Sequence, residues 1–209
     1  MTRLGSRATG GGLWTALLGA ACVVVAACSS PGHGQPLATV PTASTTTTTP
    51  LGQVPAVIDI PYVQRVMDVL DHLTGEAARE FVAQKGPTPK FEQIIEAVYT
   101  GQALDDTKTA FGQAAARPDL SPFRADPGDP TTVVQTILAS SRDCVVFRAE
   151  STDGPMLTRP PPPGSTDAIF RLNVLPKTAD KSAINQTAWW IVIAGRASGT
   201  TLGTNPCGD

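Results

Sequence analysis

Apolar residues recur with a helical period in the first half of the chain's globular part and with a strand period in the second. Ile60, Val63, Val66, Met67, Leu70 and Leu73 fall on one stripe of a helix, with Gln64, Arg65, Asp68 and Asp71 off that stripe. Asp59 ahead of Pro61 supplies a start signal, and Thr74-Gly75 predicts a break or kink. A further turn or two follows from Glu76 and ends at Gly86-Pro87. Thr88-Pro89 opens a second helix, with Phe91, Ile94, Ile95 and Val98 on one face and Gly101 closing it. A third helix is predicted over 104–116, with Asp105 and Asp106 in its first turn, where carboxylates complement the helix dipole.

Past a loop rich in Pro, Asp and Gly (118–130), the pattern becomes that of strands. Residues 131–139, 144–150, 169–175 and 188–194 are rich in β-branched and aromatic side chains. They are separated by turn-forming stretches at 140–143, at 153–155 with 160–164, and at 176–186. Helices first and strands later predict an α+β fold, its N-terminal helices packed on one face of a curved antiparallel sheet of about four strands.

The first sixty residues carry a different message. Arg3 and Arg7 precede an apolar run from Leu13 to Ala27, and no charged residue follows Arg7 until Asp59. That run is shorter than the roughly 20 apolar residues a bilayer span requires, and its charged start and small-residue exit are the layout of a removable signal peptide. Val25-Ala26-Ala27-Cys28 resembles the lipobox of bacterial lipoproteins. The resemblance implies cleavage before Cys28 and lipidation of its thiol. Acyl chains contribute roughly 0.8 kcal/mol per buried CH₂, so two or three would hold the protein at the extracytoplasmic face of the cell membrane. From Ser29 the chain lacks apolar periodicity and is rich in Ser, Gly, Pro and Thr, including the threonine run 45–49. Such a stretch is expected to act as a disordered tether, with O-linked sugars on the threonines an alternative use. The expected organisation is therefore a signal peptide (1–27), a tether (28–55) and one domain (56–209).

Cysteine usage fits an exported protein. Of four cysteines, Cys22 leaves with the signal and Cys28 takes the lipid, so Cys144 and Cys207 remain as a pair expected to form a disulfide. Two cysteines without neighbouring ligands make a poor zinc site, and no metal or other cofactor is expected. The chain has 16 basic and 18 acidic residues, and removal of Arg3 and Arg7 makes it more acidic still. Nucleic acid, which needs a basic footprint, is not an expected partner.

Three helices followed by long antiparallel strands are similar to the nuclear transport factor 2-like, or SnoaL-like, cone. The stretch Tyr62-Val63-Gln64-Arg65-Val66-Met67-Asp68-Val69-Leu70-Asp71-His72 resembles the opening helix of secreted lipoproteins of mycobacteria and other actinobacteria. Tyr99-Thr100, Asp143-Cys144, Trp190-Ile191-Val192 and Cys207 fit the same likeness. It implies a cavity between sheet and helices, and it brings no assigned activity with it.

The sequence contains no nucleophile elbow, no phosphate-binding glycine loop and no His-Glu-x-x-His. Of two histidines, His33 falls in the tether. Only His72 is placed for acid–base chemistry, with Asp68 one turn before it as its orienting carboxylate. The plainer reading is that Asp68, Asp71 and His72 form the solvated edge of an amphipathic helix. Glu92 and Glu96, also a turn apart, read as an exposed face beside Lys90 and Gln93. Trp189 and Trp190 are adjacent in a strand and so point to opposite faces, one into the core or cone and one outward, where a partner surface is expected. Together these features predict an envelope lipoprotein that binds a partner protein or an apolar small ligand without catalysis. A lipid or glycolipid carrier is the first alternative, and a cone-fold isomerase or dehydratase using His72 and Asp68 the second.

Overall fold

A computed structural model describes residues 49–159 and 166–198, together with Pro162, Gly203, Thr204 and residues 206–208. Helix α1 (Ile60–Gln84) starts where Asp59 accepts a hydrogen bond from the Tyr62 amide at 2.8 Å, an N-cap that satisfies one of the helix's orphan donors. It then runs unbroken for 25 residues, through the predicted kink. Gly75 is not a hinge. A Cβ there would lie 2.0 Å from Asp129 Oδ1 and 2.8 Å from its Cα, so glycine lets the 118–130 loop approach the helix. His72 and Arg79, seven residues apart on one stripe, hold that Asp129 carboxylate at 2.9 and 2.7 Å.

Thr88 caps helix α2 (Pro89–Val98) through the Phe91 amide at 3.1 Å. Gly101, expected to close this helix, instead opens helix α3 (Gly101–Ala116) with a left-handed φ of 56°. Starting three residues early moves Asp105 and Asp106 out of the first turn. Between the helices, Tyr99 and Thr100 are extended and dock on the sheet, with the Thr100 amide donating to Ile191 O at 3.0 Å. A short 3₁₀ turn, Pro118–Leu120, follows α3.

Strands β1 (Thr131–Ser141), β2 (Cys144–Thr152), β3 (Asp167–Val174) and β4 (Trp189–Arg196) form one antiparallel sheet in chain order. With the helices this is the α+β fold expected from the sequence. Register shifts between Val134 and Thr136, between Ile137 and Ala139, and between Arg171 and Leu172 are bulges, which bend strands and sharpen their twist. Helix α4 (Ala179–Ile184) interrupts the stretch read as a loop at 176–186. It buries no side chain, so it leaves no apolar stripe in the sequence.

The inner sheet face, with Val145, Phe147, Phe170, Leu172, Trp189 and Ile191, packs against Val63, Met67, Leu70 and Ile95 in one cluster. Phe81, Phe91, Phe111 and Phe123 extend it under the loop, Phe111 and Phe123 stacked at 4.8 Å. On the outer face a smaller cluster of Cys144, Val146 and Ile169 lies beneath Ala139, Ala197 and Cys207. There the predicted Cys144–Cys207 disulfide closes, pinning the C-terminal segment to β2.

The folded unit begins earlier than residue 56. Leu51 and Val54 pack against the main cluster, Leu51 O accepts from the Ala188 amide at 2.8 Å, and Gln53 O accepts from the Tyr62 hydroxyl at 2.8 Å. The last residues assigned to the tether thus belong to the domain.

Candidate functional site

Between the inner sheet face and the helices lies a cavity of about 530 Å³, open at one side. Both helices and strands contribute to its lining. From α1 comes Asp71, from the α2–α3 junction Tyr99, from β1 Thr132, and from β2 and the turn after it Ser151 and Asp153. Phe170 and Ile191, both buried, form apolar wall, and Leu157 adds to it.

Helix geometry brings Asp71 here. Gln64 and Asp71 are seven residues apart, nearly two turns, and both face β1. Gln64 donates to Thr132 O at 2.8 Å and accepts from the Val134 amide at 2.9 Å, completing part of the β1 edge as a neighbouring strand would. Asp71 accepts from Thr132 Oγ1 at 3.2 Å. Thr132 in turn lies 3.3 Å from the Ser151 hydroxyl, so with Asp71 ionised the hydrogen bonds run Ser151 to Thr132 to Asp71. Thr74 donates to Leu70 O at 2.9 Å, which leaves the Tyr99 hydroxyl to donate to Thr74 Oγ1 at 3.0 Å.

Electrostatics set these groups apart from ordinary surface residues. Burial pushes the Asp71 carboxyl up to about 7, against the pull of the Thr132 hydrogen bonds and with reinforcement from Asp68 and Asp153. Partial desolvation shifts Asp153 in the same direction, although its side chain is exposed and keeps contact with water. The phenol of Tyr99 is raised by burial too, despite Thr74, with the Asp153 and Asp71 charges adding to the effect. Among the described residues neither carboxylate has a Lys or Arg partner. Arg159 and Arg196 line the same cavity.

The residues favoured by sequence reasoning lie elsewhere. His72 bonds Asp129 rather than Asp68, and Asp68 bonds Gln64 at 2.8 Å. Both are exposed outside the cavity, so they do not form an acid–base pair within it. Asp71, assigned with them to the solvated edge, is the member that turns inward. Its signal was the i, i+7 relation to Gln64, which apolar periodicity does not register. Glu92 and Glu96 are held on the surface by Lys108 at 2.8 and 2.9 Å.

Trp189 and Trp190 are both buried, at 0% and 4% exposure, so neither offers an outward contact surface. Trp189 donates to the Tyr62 hydroxyl at 2.8 Å. Trp190 is roofed by Lys177, whose ammonium lies 4.5 Å from its ring, and donates to Glu96 O at 3.4 Å. The 176–188 segment covers the face that strand alternation leaves open. Cys28 lies outside the described residues. Among those described, no group of three or more His, Cys, Asp or Glu is arranged to hold a metal, and no helix is long and apolar enough to cross a membrane.

In comparisons with known proteins, the chain matches no protein family, no curated protein and no solved structure.

Proposed function

We propose that this chain is a lipid-anchored protein of the cell envelope whose domain, of the nuclear transport factor 2-like type, serves as a receptacle for a small ligand. The observation that carries this reading is the open cavity of about 530 Å³ between sheet and helices, walled by apolar side chains and bearing hydroxyls and two carboxylates. A cavity of this size and mixed lining suits a small amphipathic molecule with a polar anchor. Long acyl chains fit it less well, because storing them would desolvate Asp71 and Asp153 without giving either a partner. The burial of both Trp189 and Trp190 removes the main reason for preferring a protein partner. The anchor half rests on the signal-peptide layout and the Val25-Ala26-Ala27-Cys28 motif.

Native mass spectrometry of the protein gently extracted from its own host tests both halves. We expect a stoichiometric small molecule, an N-terminus at Cys28 and added acyl mass. An empty protein with an uncut N-terminus would refute the proposal. One observation favours a second reading: a carboxyl near pH 7 inside a cavity is poised to move a proton at physiological pH, with Asp71 rather than His72 as the acid–base group. Turnover of the recovered molecule that Asp71→Asn abolishes, without loss of binding, would establish that reading.

A further inference from the structure

Asp71 and Asp153 reach the cavity from different elements and end with different partners. Asp71 is wired to Thr132. The side chain of Asp153 has no hydrogen bond or ion pair among the described residues, while its backbone carbonyl caps the turn through the Met156 and Leu157 amides. That turn is held firmly. Leu157 bridges to Phe123, the Arg124 amide donates to Met156 O at 2.9 Å, and the Thr158 amide donates to Pro122 O at 2.7 Å. Asp153 is therefore fixed at the rim of the cavity by its backbone, with an exposed carboxylate that has no side-chain partner among the described residues. A carboxylate in this position is stabilised by an incoming cation or hydrogen-bond donor and destabilised by an anion.

We propose that the cavity takes a ligand in which a protonated amine is joined to an apolar body, the ammonium held by Asp71 and Asp153 and the body lying against Phe170 and Ile191. The inference rests on the receptacle reading above and names its ligand class. An ammonium has donors for both carboxylates, and the Tyr99 ring borders the same space. The charged groups around Asp71 are Asp68 on its own helix, Asp153 across the cavity, and Arg159 and Arg196 lining it. Arg196 already has an interaction of its own. Burial of Asp71 adds a pH dependence, since an ammonium binds its ionised form.

The test is calorimetric titration of the full chain in detergent with three probes of similar body: 2-phenylethylamine, 2-phenylethanol and 3-phenylpropionate. At pH 8 we expect the amine to bind at least about tenfold tighter than the alcohol, and the propionate weakest. At pH 5.5 that preference should shrink by roughly threefold or more, as Asp71 takes up a proton. Asp71→Asn and Asp153→Asn, checked for folding by circular dichroism, should each weaken the amine about tenfold and leave the alcohol nearly unchanged. Alcohol or propionate binding as tightly as the amine would overturn the amine class while leaving the receptacle intact. Failure of all three to bind the folded protein, with no molecule recovered from its host, would overturn the receptacle as well.

Discussion

At the scale of single residues, Asp71 joins stability to the cavity. Its carboxyl titrates near 3.8 when unfolded and near 7 when folded. Between those values the folded state holds a proton that the unfolded state has released, so stability falls as pH rises from about 4 to about 7. A displacement of that size corresponds to about 4 kcal/mol at most, and water in the open cavity screens part of it. We therefore expect Asp71→Asn, which keeps an acceptor for Thr132, to raise stability at pH 8 by about 1–2 kcal/mol and to flatten this pH dependence. Urea unfolding at pH 5 and pH 8 measures both, and an unchanged pH slope would contradict the assignment. Gly75 behaves oppositely: Gly75→Ala should destabilise by about 2 kcal/mol or more, because the clash involves backbone at Asp129 as well as its side chain. Thermal melts would reveal it, and a neutral result would mean that the loop yields freely. Neither role stands out in the sequence. Both arise where a helix meets a distant loop or strand, and local periodicity says nothing of that meeting.

At the scale of elements, apolar period and turn residues made three helices and four strands legible, because each buries a continuous stripe or alternate face. What they missed has a common cause. Helix α4 buries nothing, Gly75 sits inside a helix for the sake of a neighbour, and Gly101 begins a helix through its positive φ. The fate of Trp190 was hidden because alternation fixes which side of the sheet a residue leaves, not what then covers it. The Cys144–Cys207 disulfide does for the outer sheet face what the helices do for the inner one. Reducing it should cost about 2–4 kcal/mol, since 63 residues separate the cysteines, and should free the segment over Val146 and Ile169. Denaturant midpoints with and without reductant, together with hydrogen exchange at Val146, would test this. Equal midpoints would show that the outer cluster holds without the bond.

At the scale of the whole molecule, the α+β class followed from the order of periods along the chain, and the disulfide from cysteine number and the signal-like layout of the first residues. The cavity's chemistry did not follow, because Asp71, Tyr99, Thr132, Ser151 and Asp153 are scattered over more than eighty positions and share no motif. The domain boundary moved for a related reason: Leu51 to Val54 have too few apolar residues to show a period, yet they pack on the main cluster. A chain beginning at Asp59 should therefore be less stable than one beginning at Thr49, by about 2–3 kcal/mol, having lost the Leu51 contacts and the Gln53 acceptor. Chemical denaturation of the two chains settles the point, and equal stability would return these residues to the tether.

The Gln53–Tyr62–Trp189 series of hydrogen bonds gives that leading segment a mechanical meaning. A pull on the chain ahead of Pro50 does not arrive first at the start of α1. It loads Leu51 against Ala188 and Gln53 against Tyr62, and so spreads into the beginning of β4 and the centre of the core. Force applied at that flank would therefore be shared with the buried Tyr62 and Trp189 rather than borne by the first turn of a helix alone.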